Sequence, residues 1–180
     1  VLSTDTRAVV GFVPMGSPRP LGQFVARPLA GKGGMGAGHH QHCRIRGDAS
    51  ISCWGRNDAG LVSAAPVAGQ WRSVVSGSAH ACALNVDGSV LCWGNNSLGQ
   101  LAAPGGVFTQ ISAGFRHTCG IREDRTVACW GEDLQGQASP PGGAFSQVEG
   151  GSSHTCGIRG DGSIECWGRN ADNQSSPVPA

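Results

Sequence analysis

The chain has 180 residues, of which 30 are glycine and none is tyrosine, and its formal net charge is +1. This length suits one ordinary domain, and a near-neutral chain without a basic stripe is not expected to bind nucleic acid. No apolar run approaches the roughly 18 residues that would span a bilayer, so we expect no membrane span.

The first segment of the chain, residues 1–33, contains no cysteine but carries one motif that recurs later. Leu21-Gly-Gln-Phe24 matches Leu98-Gly-Gln-Leu101, and each motif lies about 20 residues before a cysteine. We therefore interpret residues 1–33 as the tail of a degenerate repeat.

The rest of the chain is organised around four cysteine pairs, each with its members ten residues apart and followed directly by Trp-Gly. The blocks recur at intervals of 39, 37 and 37 residues. A fixed period in this range indicates a repeat architecture. We divide the chain into repeats at 34–70, 71–107, 108–144 and 145–180. The pairs are Cys43/Cys53, Cys82/Cys92, Cys119/Cys129 and Cys156/Cys166.

Each block reads as a β-hairpin, because two short apolar runs flank a polar turn. A three-residue loop places Gly88 and Gly162 at the left-handed position of their turns and fixes the pairing of the strands. In the third block this register sets Cys119 opposite Cys129 and Thr118 opposite Trp130. The same register matches equivalent residues in the other blocks, and a slip of one residue would destroy every match.

Both faces of each hairpin are apolar at their centres, so neither face belongs in water. One face carries the cysteines and an aliphatic pair, and the other carries the tryptophan. Small sheets that are buried on both faces must stack on one another, and radial stacking gives a β-propeller. A further strand is predicted before each of the last three hairpins, at Trp71–Val75, Phe108–Ile111 and Phe145–Val148.

Two segments carry a family resemblance: Trp93-Gly-Asn-Asn-Ser-Leu-Gly-Gln-Leu101 and Gly151-Ser-Ser-His-Thr-Cys-Gly-Ile-Arg-Gly-Asp-Gly-Ser163. They resemble the repeats of regulator-of-chromosome-condensation propellers, over about residues 34–180. The resemblance implies an all-β propeller with blades of four antiparallel strands, usually seven to a ring. The cysteine pairs look like those of secreted members. Four complete repeats and one degenerate tail are too few for seven blades, so we expect an incomplete ring.

We expect each cysteine pair to form a disulfide within its hairpin, because opposed strand residues lie within disulfide reach. The alternative is half of a metal site, but zinc sites typically space their cysteines two to four residues apart. Regular cysteine pairing favours an oxidising compartment. We therefore expect an extracellular or cell-surface location.

Histidines recur two residues before the first cysteine, at His80, His117 and His154, and Gln41 takes their place in the first block. The resemblance implies that this position makes structural hydrogen bonds, whereas the alternative is a metal ligand. His39, His40 and His42 form a cluster that could hold a metal adventitiously. Two sequons make Asn95 and Asn173 candidate glycosylation sites. Arg46-Gly-Asp48 and Arg159-Gly-Asp161 resemble integrin-binding loops, but polar hairpin turns explain them equally well.

No motif of a nucleophile, a catalytic metal or a phosphate-binding loop is present, so we predict no enzyme activity, no catalytic residue and no cofactor or metal site. The leading functional hypothesis is an extracellular, disulfide-stapled propeller that acts in protein–protein interaction or assembly. Its partners would be proteins, copies of itself in an oligomer or filament among them. The alternative is a secreted inhibitor or ligand-binding propeller. A nucleotide-exchange or chromatin role fits the cysteines and the charge less well.

Overall fold

A computed structural model describes residues 34–176, which fold into four antiparallel sheets stacked side by side. Each sheet has three strands in chain order. The strands are β1 Met35–Ala37, β2 Gln41–Ile45, β3 Ile51–Gly55, β4 Trp71–Ser76, β5 His80–Asn85, β6 Val90–Gly94, β7 Phe108–Ala113, β8 His117–Arg122, β9 Val127–Gly131, β10 Phe145–Gly150, β11 His154–Arg159 and β12 Ile164–Gly168. A 3₁₀ turn at Asp58–Gly60 follows β3. Within residues 34–176 no helix is long and apolar enough to cross a membrane.

The predicted hairpin register is confirmed in all four sheets. Cys119 lies opposite Cys129 and Thr118 opposite Trp130, and the equivalent pairs form in the other three hairpins. The predicted leading strands are present as β4, β7 and β10. The short β1, within a glycine-rich stretch that gave no strand signal, was not predicted.

The hairpin turns contain the left-handed residue that the three-residue loop requires. Gly88 and Gly162 have φ values of +84° and +88°. Ala49 and Arg125 occupy the same position in the other two hairpins, also at positive φ. A side chain at positive φ is strained, so two of the four turns keep their shape despite a less suitable residue.

The expectation of four strands per blade is not met in residues 34–176, where each sheet has three. After β6 the chain forms turns instead of a fourth strand. The Asn95 side chain accepts the Ser97 amide at 3.0 Å, and the Asn96 side chain accepts the Leu101 amide at 2.9 Å. Asparagine side chains compete in this way for backbone groups that a strand would pair.

The core lies between the sheets. Each sheet has a His face, which carries the first residue of its second strand, the cysteines and the aliphatic pair. Its Trp face carries the tryptophan and the residue opposite. The His face of one sheet packs on the Trp face of the next, as when Cys82 and Leu84 contact Phe108, Ile111 and Trp130.

Three of the four repeat tryptophans are buried as expected, with 6%, 6% and 8% of Trp93, Trp130 and Trp167 exposed. The expectation of burial is wrong for Trp54, which is 43% exposed. The physical reason is its place on the Trp face of the first sheet, where no preceding sheet lies within residues 34–176. At the other end of the stack, Ile164 on the His face of the fourth sheet is 45% exposed.

The sheets follow one another as propeller blades without closing a ring in the described part of the chain. Strands β1 and β2 pack on β4, the second sheet packs on β7, and β7 and β8 pack on β10. The incomplete ring is thus confirmed for residues 34–176. The interpretation of residues 1–33 lies outside the described residues, and the repeat boundaries stay a prediction.

Candidate functional site

The turns between the first and second strands of each sheet converge at one end of the stack. Their amides connect neighbouring sheets: His39 N–H donates to Gly77 O at 3.3 Å, Ser78 N–H to Phe115 O at 2.7 Å and Phe115 N–H to Gly151 O at 3.2 Å. Each turn therefore fixes the position of the next.

Glycine opens each of these turns, and in the first three the next turn and a side chain of the same sheet leave no room for a Cβ atom. A Cβ on Gly77 would lie 2.7 Å from Gly114 O, and a Cβ on Gly114 would lie 2.5 Å from Gly151 O. Both distances are shorter than any real Cβ contact. The turns are consequently held in a rigid row.

The two residues after that glycine are the variable positions of the repeat. They are His39-His40 in the first sheet, Ser78-Ala79 in the second, Phe115-Arg116 in the third and Ser152-Ser153 in the fourth. The first and third pairs meet. The His39 ring contacts the Phe115 ring edge-on, with centroids 5.2 Å apart, and the Arg116 guanidinium lies 5.5 Å from the Phe115 centroid. We call His39, His40, Phe115 and Arg116 the end-face cluster.

The end-face cluster combines an aromatic surface with exposed cationic or ionisable groups. His39, His40 and Arg116 are exposed, and Phe115 is partly exposed. The Arg116 guanidinium lies 3.6 Å from the Glu132 carboxylate. Because the arginine of this pair is exposed to solvent, the pair contributes little to stability.

A cleft of about 320 Å³ with a mixed polar and apolar lining adjoins the cluster, between the second and third sheets. Its lining includes Ser78, Asn95, Gln100, Phe115 and Arg116. Gln100 is buried, and its side chain accepts the Leu98 amide and donates to the Asn95 side chain. One wall of the cleft is therefore held by internal hydrogen bonds, and Phe115 and Arg116 form another part of the lining.

The candidate glycosylation sites lie in turns that follow third strands. Asn95 lines the cleft, where its side-chain oxygen accepts hydrogen bonds from both the amide and the hydroxyl of Ser97. Asn173 is exposed, with a φ of +60°. Glycosylation of either residue stays a prediction.

The cysteines lie at the centres of the sheets, away from the end-face cluster. In the structure they form four disulfides within the hairpins, Cys43–Cys53, Cys82–Cys92, Cys119–Cys129 and Cys156–Cys166, with Cα atoms 4.0–4.1 Å apart. None of them is placed to act on a ligand at the cluster. They hold the hairpins that carry it.

The recurring histidines join one sheet to the next. His80 Nε2 lies 2.9 Å from Thr118 Oγ1, and His117 Nε2 lies 2.8 Å from Thr155 Oγ1. The pKa of both imidazoles is lowered to about 4, mainly by burial and to a smaller extent by the neighbouring histidine. These histidines are therefore neutral at physiological pH and serve the hydrogen bonds between blades, as the family resemblance implied.

The histidines of the first sheet are divided between two places. His39 and His40 lie side by side in the end-face cluster with ring centroids 3.9 Å apart, whereas His42 lies against Trp54. Among residues 34–176 no group of three or more His, Cys, Asp or Glu side chains is arranged to hold a metal ion.

The two Arg-Gly-Asp triplets lie at hairpin turns, at the end of the sheets opposite the cluster. Their aspartates are used within the turns: Asp48 Oδ1 accepts the amide and hydroxyl of Ser50, and Asp161 Oδ1 does the same with Ser163. These hydrogen bonds lower the pKa of both carboxyl groups. Asp87 and Asp124 make the same bonds in turns without the triplet. The aspartate is therefore a feature of the turn and not of an adhesive motif.

Phe115 was not predicted as a functional residue from the sequence, where only the tryptophans were placed, on one face of each hairpin. The signal was present in the alignment of the four turns, where Phe115 replaces a histidine or a serine. Its contact with His39, two sheets away, required the tertiary structure.

A family model matches three segments of the chain. The profile of the regulator of chromosome condensation (RCC1) repeat matches residues 71–100, 108–137 and 145–174. No curated protein matches the sequence.

Solved structures share the arrangement of the sheets. The CRINKLY WD40 ectodomain of the Arabidopsis thaliana receptor kinase ACR4 is 28% identical over 81% of this chain and 52% of its own, with a TM-score of 0.68. The ectodomain of the Physcomitrella patens receptor kinase CR4 is 30% identical over 74% of this chain and 38% of its own, with a TM-score of 0.66. Prp20p from Saccharomyces cerevisiae, at 16% identity over 74% of this chain and 44% of its own, has a TM-score of 0.65 and shows the fold alone. The chain thus spans about half or less of the length of these structures.

Proposed function

Because the chain belongs to the regulator of chromosome condensation (RCC1) repeat family, we propose that it acts as an extracellular, disulfide-stapled propeller that binds a protein partner through the end-face cluster. The observation that carries this proposal is the partly exposed Phe115 ring, set between His39 and Arg116 in a turn where other repeats have small or polar residues. Loops on a rigid scaffold are the usual carriers of binding function.

The extracellular part of the proposal is supported by two observations. Four disulfides form in residues 34–176, and disulfides persist mainly in oxidising compartments. Identities of 28% and 30% to the ectodomains of two plant receptor kinases point in the same direction.

The geometry of the cluster supports binding to a protein. Aromatic and arginine side chains dominate binding energy at protein interfaces. The backbone of Phe115 is fixed from both sides, since its carbonyl accepts from Ser78 N–H and its amide donates to Gly151 O. A residue held in this way loses little conformational freedom on binding, and this raises affinity.

The same cluster favours a second candidate, a secreted inhibitor or ligand-binding propeller. An inhibitor needs an anchor that enters a groove of its target, and Phe115 is such a side chain. The nucleotide-exchange and chromatin role has less support, because the likeness to Prp20p shows the fold alone. The activity that we propose is binding without chemistry.

The proposal is tested by capture from the extracellular fraction of the native source. Wild type is compared with a Phe115→Ser/Arg116→Ser variant, which copies the Ser152-Ser153 turn of the fourth sheet and should therefore fold. A matched control is Val86→Ser, at an exposed hairpin tip on the opposite end of the sheets. Far-UV circular dichroism and thermal unfolding verify the fold of each protein.

A protein that is captured by wild type and by Val86→Ser, but lost or weakened at least tenfold with the double variant, supports the proposal. Such a loss corresponds to about 1.4 kcal/mol of binding free energy. Equal capture by all three proteins would place binding elsewhere. Sedimentation of the pure protein shows whether the partner is a second copy of the chain, and an activity assay of the captured partner separates an inhibitor from a passive interaction module.

A further inference from the structure

The hydrogen bonds of the cleft beside the end-face cluster determine which polar atoms it offers to a ligand. The side-chain oxygen of Asn95 accepts the Ser97 amide at 3.0 Å, the Ser97 hydroxyl at 2.7 Å and the Gln100 side-chain amide at 3.3 Å. Because a backbone amide can only donate, the atom that it meets is the oxygen of Asn95. The Asn95 Nδ2 group is therefore left as a donor, without a hydrogen bond inside residues 34–176.

The other acceptors of the cleft lining are also used within the protein. Gln100 Oε1 accepts the Leu98 amide at 2.8 Å. Three lining residues have backbone carbonyls that accept amides at 2.7–2.9 Å: Ala79, Phe115 and Arg116. The Ser78 hydroxyl lines the cleft too and can rotate to donate. The hydrogen-bonding capacity that remains for a ligand is therefore mainly that of donors.

The cleft also carries one positive charge. Arg116 lines it, and none of the other lining residues in the described part of the chain is charged. The Arg116 side chain is half-exposed, and its Nη1 atom lies 3.6 Å from the Glu132 carboxylate, which is beyond hydrogen-bond distance. An arginine makes shorter and stronger charge-assisted hydrogen bonds to a well-placed carboxylate. The cleft is therefore suited to an anion.

The charge and the lining indicate which class of anion fits. One arginine with an acidic neighbour balances a single negative charge, whereas a phosphate group carries close to two. Leu98 is 37% exposed and Phe115 is partly exposed, and both line the cleft beside the donors. The volume of about 320 Å³ leaves room for an apolar stem as well as the charged group. A carboxylate on an apolar stem combines these properties.

We propose that the cleft binds such a carboxylate, with Asn95 Nδ2, Ser78 Oγ and Arg116 as donors and with Leu98 and Phe115 against the stem. A carboxylate provides only acceptors, and it therefore matches a lining whose own acceptors are occupied. The source that fits is an apolar C-terminal residue of a protein partner, because its carboxylate lies next to a hydrophobic side chain. The inference deepens the proposed function and rests on it only for this source.

The test uses N-acetylleucine and its neutral analogue, N-acetylleucine amide, which share a stem and differ in the carboxylate. The full chain is made in a host that adds no N-linked glycan, so that Asn95 stays unmodified. Each probe is titrated while NMR follows the side-chain N–H signals of Asn95 and Arg116, which are assigned by their loss in Asn95→Asp and Arg116→Gln. We expect saturable shifts of both signals with the acid and binding of the amide about tenfold weaker or more.

Variants separate a carboxylate site from a general effect of charge. Asn95→Asp keeps the oxygen that holds Ser97 but replaces the donor with a negative charge, and Arg116→Gln removes the positive charge. Each should weaken binding of N-acetylleucine about tenfold or more. Arg169→Gln is the matched control, since Arg169 is an exposed arginine in the corresponding turn of the fourth sheet, and it should bind the probe as wild type does. Glu132→Gln should strengthen binding about twofold or more by removing a competing carboxylate. Thermal unfolding verifies the fold of each variant.

Several results would overturn the inference. Equal binding of the acid and the amide would show that the stem alone is recognised. The absence of saturable binding to wild type, or a loss with Arg169→Gln as large as with Arg116→Gln, would exclude a specific carboxylate site. Tighter binding of N-acetylisoglutamine, whose carboxylate is on a side chain, would overturn the C-terminal source.

Failure of this inference can be told apart from failure of the proposed function. If a partner is captured through the end-face cluster and Asn95→Asp captures it equally well, the protein-binding function stands and the carboxylate site is wrong. If N-acetylleucine binds as expected but no partner depends on Phe115 and Arg116, the carboxylate site stands and the protein-binding function is wrong.

Discussion

Trp130 and Trp54 occupy the same place in their repeats but differ in what covers them, and this difference predicts unequal effects on stability. Trp130 is 6% exposed and packs at 5.9 Å, edge-on, against Phe108, with Cys82 and Leu84 on the facing sheet. Trp54 is 43% exposed. We compare Trp130→Ala with Trp54→Ala.

Removing the Trp130 indole leaves a cavity between two sheets that hold their separation through hydrogen bonds. Truncation of a buried tryptophan costs about 3–5 kcal/mol, a large share of the roughly 5–15 kcal/mol that stabilises a domain. Trp54→Ala should cost about half that or less, because its indole already contacts water and no closed cavity forms.

The assay is urea unfolding followed by far-UV circular dichroism, with the disulfides intact. The free energy of unfolding is obtained from the midpoint and slope of each transition. Equal losses for the two variants would refute the assignment of the first sheet's Trp face as uncovered. A loss below about 1 kcal/mol for Trp130→Ala would refute the packing of the third sheet against the second.

Three further outcomes are expected. Trp93→Phe should cost about 1 kcal/mol more than Trp130→Phe in the same urea assay, because Trp93 Nε1 donates to Leu61 O at 2.9 Å whereas Trp130 Nε1 has no partner among the described residues; equal costs would contradict the hydrogen bond. Stability should fall as the pH drops from 6.5 to about 4, since burial lowers the pKa of His80 and His117 in the folded state and the unfolded chain binds those protons first. At 1.36 kcal/mol per pKa unit, each histidine should lower the free energy of unfolding by up to about 3 kcal/mol over this pH range. The variant His117→Gln should therefore show a weaker dependence of stability on pH. Non-reducing peptide mapping should find only disulfides within hairpins; free thiols or bridges between repeats would contradict them.

The hairpins could be predicted from the sequence because their signals are local. The cysteine spacing, the loop of three residues and the alternation along each strand all fix one register, and the strands of all four hairpins follow it. Stacking of the sheets could be predicted because both faces of each hairpin are apolar at their centres and must be buried against other sheets. The repeat therefore determined the fold class and predicted an incomplete ring, as residues 34–176 have it.

Only the tertiary structure decided which copies of a repeated residue are buried and which are exposed to solvent. Trp54 has the same neighbours in sequence as Trp130, but its exposure depends on whether another sheet precedes it. His154 differs from His117 for the corresponding reason at the other end of the stack. The contact between His39 and Phe115 joins the first and third sheets, and no spacing along the chain encodes that distance. Repetition makes local structure predictable because every unit obeys the same short-range rules, whereas burial and binding depend on what stands next to each unit in space.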